Sequence, residues 1–187
     1  MPVKLIKTKR IEDDRGWFSE TYNQKQHTAL GIDVVFCQDN HSLSRPVGVL
    51  RGLHFQRPPY AQAKLVRCVR GRIWDVAVDV RAGSPTYGQW EAAELSADNG
   101  LQLYVPAGFA HGFITLEPDT EVEYKVSAFY DRASEGGLIW NDPTLDLPWP
   151  APASGPVVSD KDLVLPTLAE FESPFAYDGA PLSPLED

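Results

Sequence analysis

The chain has 187 residues, of which 43% are hydrophobic and 23% charged, a composition typical of an ordinary globular protein. A formal net charge of −9 without any basic block argues against a general nucleic-acid-binding protein. No apolar run approaches the roughly 18 residues of a membrane span, no signal peptide is evident, and two cysteines predict no disulfide framework, so we expect a cytoplasmic protein.

In chain order, the sequence consists of short β-branched and aromatic runs separated by 14 glycines and 16 prolines, which favours an all-β fold. A short helix is predicted over residues 24–31, ending at Gly31, and another near 165–173. The strand candidates are residues 15–22, 34–42, 64–71, 72–80, 101–105, 111–116 and 121–130.

Segment 72–80 alternates most clearly. Asp75 and Asp79 share one face with Ile73 and Ala77, while the other face carries Trp74, Val76, Val78 and Val80. The two carboxylates either line a barrel or lie at its rim. We expect a single domain over residues 1–187, in which a barrel of about 5–140 is covered by a tail of 141–187 that is rich in Pro, Asp and Leu.

Two glycine-spaced histidine motifs identify the barrel. "GLQLYVPAGFAHG", which contains His111, resembles the second motif of the cupin family of small β-barrels, and "GVLRGLH", which ends at His54, resembles the first. The resemblance implies an all-β, cupin (jelly-roll-like) barrel with short peripheral helices.

The first motif departs from the metal-binding cupins at two positions. Gln56 stands where those proteins have a second histidine, and Lys64 stands where they have a glutamate. A divalent ion needs several neutral imidazole and carboxylate ligands that converge, so we predict no metal site. The same pocket suits an anion, or a group that becomes negative during a reaction.

A set of eight motifs in order narrows the resemblance: "RGLHFQ", "AKLVRCVRG", "WDVAVDVR", "GSPTYGQW", "AGFAHGF", "EYKVSAFY", "LIWND" and "SDKD". Over about residues 5–165 the chain resembles the dTDP-4-dehydrorhamnose 3,5-epimerases. The resemblance implies a homodimer that needs no cofactor and that inverts C3 and C5 of dTDP-4-keto-6-deoxy-D-glucose to give dTDP-4-keto-L-rhamnose.

Four residues are predicted to be catalytic. His54 is the candidate base, since imidazole titrates near neutral pH, and Lys64 is the candidate stabiliser of an enolate. The resemblance makes Asp162 the partner of His54 and Tyr124 the proton donor. The residues alone leave other readings open: Asp160 is an equally available carboxylate, and Tyr124 on an apolar strand face would ordinarily be a core residue.

The resemblance also implies a set of substrate contacts. Strict alternation would turn Arg51 away from His54 unless a bulge at Gly52 redirects it. An N-terminal strand is expected to complete the site of the neighbouring subunit. The predicted contacts are Arg15, Phe18, Glu20, Gln38, Asn40, Arg51, His111, Tyr130, Glu135 and Lys161.

Three alternatives stay open at this point. An epimerase of antibiotic deoxysugar biosynthesis would invert only C3 or only C5 of such a substrate. A non-catalytic cupin would bind a sugar nucleotide without turnover. A metal-dependent cupin enzyme would hold iron, zinc or manganese.

Overall fold

The computed structural model describes residues 2–185. Among these residues no helix is both long and apolar enough to cross a membrane. Short 3₁₀ turns lie at Arg132–Ser134 and Asp162–Val164. The helix and strands are β1 (Lys4–Lys7), β2 (Arg10–Asp13), β3 (Gly16–Ser19), α1 (Gln24–Ala29), β4 (Gln38–Ser44), β5 (Leu50–Gln56), β6 (Lys64–Arg70), β7 (Arg72–Asp79), β8 (Trp90–Ser96), β9 (Leu101–Val105), β10 (Phe109–Thr115), β11 (Thr120–Val126) and β12 (Glu135–Gly137).

The strands form two antiparallel five-stranded sheets and a separate hairpin. One sheet has the order β1-β9-β6-β11-β4, the other has the order β12-β5-β10-β7-β8, and β2 pairs with β3. Apolar residues that alternate along facing strands fill the space between the sheets, as expected for a sandwich of this kind. The buried core residues there include Val66, Ile73, Leu103, Phe113 and Val122. The predicted all-β class is confirmed.

Strand β7 is buried on both faces. Ile73 and Ala77 point into the barrel. On the other face, three valines of this segment pack against apolar side chains of the C-terminal segment, namely Val76, Val78 and Val80 against Leu145, Leu168, Phe171 and Phe175.

The two carboxylates of β7 are fully buried. Asp75 and Asp79 each have 0% exposure, so neither is a rim carboxylate. Asp79 accepts hydrogen bonds from Arg81, Ser84 and Thr86 beneath the loop that follows β7.

The predicted second helix, residues 165–173, is wrong. The hydroxyl and amide of Thr167 both donate to the Glu170 carboxylate, as in a helix start, but the chain forms only one turn there. Pro174 disfavours helical geometry at Ser173 before it. The chain instead extends so that Leu168 and Phe171 both reach the outer face of β7. The helix predicted over 24–31 is confirmed, with α1 ending two residues before Gly31.

Three predicted strands are shorter than expected, and of these the strand predicted over 15–22 forms only at Gly16–Ser19. Only the second half of 34–42 is strand, since β4 begins at Gln38. The prediction for 121–130 is wrong after Val126, where β11 ends. Beyond that point side-chain amides, rather than a neighbouring strand, bind the backbone of residues 128–131. Tyr130 therefore does not continue the strand face that carries Tyr124.

The two free cysteines differ in environment. Cys37 is exposed just before β4, whereas Cys68 is buried in β6. Burial raises the pKa of the Cys68 thiol to about 11, so this group stays protonated at neutral pH.

Candidate active site

A cavity of about 650 Å³ opens between the two sheets, and β4, β5, β6, β10 and β11 contribute to its wall. The segment 157–165 covers one side of it. Eleven of the fourteen predicted site residues line this cavity: Gln38, Asn40, Arg51, His54, Lys64, His111, Tyr124, Tyr130, Glu135, Lys161 and Asp162.

A β-bulge in β5 brings Arg51 and His54 to the same cavity. His54 lies opposite His111 on β10, and Arg51 lies opposite Phe113, so two β5 residues face the single Gly112. Gly52 has φ +135°, and a Cβ there would lie 2.5 Å from the Gly112 Cα, so only glycine fits. The bulge at Gly52 that Arg51 would need in order to reach the site is present.

His54 and Asp162 form a hydrogen-bonded pair on the cavity wall. Nε2 of His54 lies 2.6 Å from Oδ1 of Asp162, and the Asp162 side chain is only 3% exposed. Burial by itself raises the pKa of Asp162, but hydrogen bonds from His54, the Ser159 hydroxyl and the Gly52 amide outweigh it and lower the pKa overall. The carboxylate is therefore ionised at neutral pH, and we assign the His54 proton to Nε2, which leaves Nδ1 basic.

Lys64 and His111 form a second group deeper in the cavity. Nζ of Lys64 lies 3.3 Å from the His54 carbonyl oxygen and 3.5 Å from Nδ1 of His111. Burial lowers the pKa of Lys64 to about 8, partly opposed by the charge of Asp75. Burial also lowers the pKa of His111, so its ring is neutral at pH 7.

Asp75, which the sequence left open between the barrel interior and its rim, is a residue of this site. Its Oδ1 lies 2.7 Å from Nε2 of His111, so the neutral ring donates there and keeps Nδ1 as an acceptor toward Lys64. The available signal was the alternation that puts Asp75 between the inward-facing Ile73 and Ala77.

Tyr124 approaches the cavity from the sheet that faces His54. Tyr124 lies on β11 and His54 on β5, which belong to opposite sheets. Burial raises the pKa of the Tyr124 phenol, with a smaller opposing effect from Arg51, so the hydroxyl stays protonated near neutral pH. An imidazole base and a phenolic acid thus line one cavity from two sheets, and the Lys64 ammonium lines the same cavity.

This chain is similar to known proteins over most of its length. The model of the dTDP-4-dehydrorhamnose 3,5-epimerase family matches residues 2–170. A dTDP-4-dehydrorhamnose 3,5-epimerase of Sinorhizobium fredii is 53% identical over 175 residues, covering 94% of this chain and 89% of the relative.

The chain belongs to the dTDP-4-dehydrorhamnose 3,5-epimerase family.

Solved structures agree with this membership. A dTDP-6-deoxy-D-glucose-3,5-epimerase from Legionella pneumophila, in complex with dTDP-4-keto-L-rhamnose, has a TM-score of 0.87 and 41% identity, covering 91% of this chain and 89% of that one. A 3'-monoepimerase from Streptomyces bikiniensis in complex with dTDP-quinovose has a TM-score of 0.83 and 36% identity, covering 89% and 84%. The predicted cupin fold and isomerase class are confirmed.

The mouth of the epimerase cavity is charged and aromatic. Arg51 points its guanidinium toward Ser44, with nitrogen–oxygen distances of 3.4 Å. Nζ of Lys161 lies 3.5 Å from a Glu135 carboxylate oxygen, so these two predicted contacts form a salt bridge with each other. Tyr130 also lines this cavity and has 55% of its surface exposed.

Three predicted contacts of the epimerase do not line this cavity. Arg15 pairs with Asp13, and Glu20 accepts a hydrogen bond of 2.9 Å from the Gln26 amide. Phe18 lies on the β2–β3 hairpin with 68% of its surface exposed. Their contribution to a neighbouring subunit stays a prediction.

Gln56, which stands where metal-binding cupins have a second histidine, carries a hydrogen-bonded side-chain amide in this epimerase. The Gln56 side chain is buried, and its amide hydrogen-bonds the carbonyls of Tyr60 and Phe129 and the backbone amide of Asp131. Within residues 2–185, no group of three or more His, Cys, Asp or Glu side chains is arranged to hold a metal ion.

Proposed function

We propose that this enzyme inverts C3 and C5 of dTDP-4-keto-6-deoxy-D-glucose to give dTDP-4-keto-L-rhamnose without a cofactor. The supporting observation is the arrangement of the His54–Asp162 pair and Tyr124 on opposite sheets of one cavity that also contains Lys64. The names of the relatives in sequence and in structure support the same activity.

Each inversion begins with proton abstraction next to the C4 ketone. Nδ1 of His54 takes the proton from carbon, the C–H electron pair moves into the ring, and the C4 oxygen becomes an enolate. The Asp162 carboxylate stabilises the imidazolium that forms. The Lys64 ammonium compensates the negative charge on oxygen, and its burial strengthens that interaction.

The inversion ends when a proton returns to the opposite face of the same carbon. The Tyr124 hydroxyl is suited to this step, because it remains protonated and approaches from the opposite sheet. The phenolate then regains a proton from solvent, and the His54 imidazolium releases the abstracted proton to solvent, so that both groups return to their starting states. We propose that Arg51 and Lys161 bind the diphosphate, that Tyr130 stacks along the nucleotide, and that Gln38, Asn40, His111 and Glu135 contact the substrate.

We further propose that the chain is a single domain and works as a cytoplasmic homodimer. The exposed apolar side chains on the β2–β3 hairpin support an intersubunit contact. In such a dimer Arg15, Phe18 and Glu20 of each chain would complete the substrate site of the other.

Incubation of the wild-type protein with dTDP-4-keto-6-deoxy-D-glucose in deuterated water tests the proposed function. We expect deuterium to enter at both C3 and C5, and NMR of the product to show both centres inverted. Exchange and inversion at one carbon alone would identify a monofunctional epimerase instead. The S. bikiniensis relative is named as such an enzyme, a 3'-monoepimerase. Absence of exchange at both carbons would support the non-catalytic alternative.

Tyr124→Phe is expected to separate exchange from inversion. The variant keeps His54 and Lys64, so carbanion formation and solvent exchange should continue, while inversion should fall about 100-fold for want of an acid on the second face. Deuterium uptake and product configuration, measured by NMR in the same sample, check this result. Equal loss of exchange and inversion would contradict the assignment of Tyr124 as donor.

A further inference from the structure

The segment 128–131 carries two exposed aromatic side chains, of which Tyr130 lines the cavity. Phe129 has 66% of its surface exposed and Tyr130 has 55%. The segment follows the end of β11 and precedes the 3₁₀ turn Arg132–Ser134. Exposed rings on an irregular segment would ordinarily be mobile, because no strand partner holds their backbone.

Glutamine side chains, rather than a neighbouring strand, form hydrogen bonds with the backbone of this segment. Gln56 donates through Nε2 to the Phe129 carbonyl at 3.2 Å and accepts through Oε1 from the Asp131 amide at 2.8 Å. The Tyr130 amide donates to Oε1 of Gln38 at 3.0 Å. Nε2 of Gln62 donates to the Ala128 carbonyl at 2.8 Å. Each of the four consecutive residues is therefore fixed by one backbone hydrogen bond to a glutamine.

Gln56 is the centre of this arrangement. It is 4% exposed, and its Nε2 also donates to the Tyr60 carbonyl at 2.8 Å, so one amide joins two loops. A carboxamide offers two donor hydrogens and an acceptor, whereas a neutral imidazole offers one donor and one acceptor. A histidine at position 56 would therefore leave at least one of these three backbone groups without its partner.

We propose that Gln56 and Gln62 are positioning residues that hold the 128–131 segment so that the Tyr130 ring is preorganised for the nucleobase. This inference rests on the proposed function, in which Tyr130 stacks along the nucleotide. The two glutamines act through the backbone of the segment. Their effect therefore falls on nucleotide affinity, and proton transfer at the sugar proceeds unchanged.

Gln56→Met tests the inference with a side chain of similar length that forms no such hydrogen bonds. We expect the Kd for dTDP, measured by calorimetry, and the KM for the sugar nucleotide each to rise about tenfold. We expect kcat to stay within about threefold of wild type. An unchanged Kd, or a loss confined to kcat, would overturn the inference.

A double-mutant cycle separates positioning from general destabilisation. In a Tyr130→Ala background, Gln56→Met should change the dTDP Kd by less than about twofold, because the ring that it positions is absent. Full additivity of the two effects would overturn the inference. Should Gln56→Met fail to fold, Gln62→Met loses a single hydrogen bond and takes its place in the same cycle.

Asn99→Leu is the matched control. The Asn99 amide also makes three backbone hydrogen bonds, to Ser96, Leu101 and Glu94, but in a turn that does not line the cavity. The Asn99→Leu variant should have a lower free energy of unfolding than wild type, and its Kd for dTDP should equal that of wild type. A Kd that rises in Asn99→Leu as much as in Gln56→Met would assign the effect to stability and overturn the inference. Wild-type protein that fails to bind dTDP would overturn the proposed function itself.

Discussion

His54→Ala should lose deuterium exchange at both C3 and C5, with turnover falling about 10²–10⁴-fold. The reason is that the His54 ring, which is paired with the ionised Asp162, is 32% exposed at the cavity wall. The other cavity histidine, His111, is 7% exposed, and its Nδ1 faces Lys64. Binding of dTDP should be nearly unchanged, since the proposed nucleotide contacts of Arg51 and Tyr130 remain.

His41→Ala provides the control for that variant. His41 lies outside the cavity, half exposed, with Nε2 at 2.9 Å from a Glu121 carboxylate oxygen. It should retain wild-type exchange at both carbons. NMR exchange rates and calorimetric dTDP affinities, measured side by side, give the comparison. Wild-type exchange at either carbon in His54→Ala would show that another group removes that proton.

Lys64→Met should make the protein less active and more stable. Turnover should fall about 10²–10³-fold because the enolate loses its compensating charge. The pKa of Lys64 is lowered by burial from 10.5 to about 8, so keeping this ammonium buried costs about 3 kcal/mol of folding free energy below pH 8. Met fills similar space without a charge and removes that cost.

The stability effect of Lys64 has a defined pH dependence. Between pH 8 and 10.5 the unfolded chain binds the Lys64 proton and the folded chain does not, so this group makes wild-type stability rise with pH across that window. Lys64→Met should lack that rise, and its advantage should be largest below pH 8. Denaturant unfolding at pH 7 and pH 10 measures both quantities.

Lys125→Met is the matched lysine control. Lys125 lies on the outward face of β11 in a salt bridge of 2.8 Å with Asp39, and it does not line the active-site cavity. It should show neither the loss of turnover nor the pH-dependent gain in stability. A Lys64→Met variant that is less stable than wild type at pH 7 would mean that Lys64 is compensated by its surroundings.

The sequence predicted the positions that follow from spacing and alternation. Glycine-spaced motifs identified the strands that carry His54 and His111, and the conflict between alternation and function at Arg51 required the bulge found at Gly52. The choice of Asp162 over Asp160 needed the family resemblance. Both are carboxylates in one short loop, and only the tertiary structure puts Asp162 within 2.6 Å of His54.

Other features depend on contacts distant in sequence. Asp75 was ambiguous because β7 is buried on both faces, so its alternation does not distinguish interior from rim. The end of β11 at Val126 depends on amides from Gln38, Gln56 and Gln62, which no local pattern reveals. The role expected of the β2–β3 hairpin depends on a second chain.

The unequal accessibility of the two thiols supplies a natural attachment point for a spectroscopic probe. A maleimide or nitroxide reagent at neutral pH should modify Cys37, because Cys68 is buried and its thiol stays protonated. One label per chain, introduced without mutagenesis, would sit at the start of the edge strand β4. Pulsed electron paramagnetic resonance between two such nitroxide labels would then measure the distance between copies of the chain in solution.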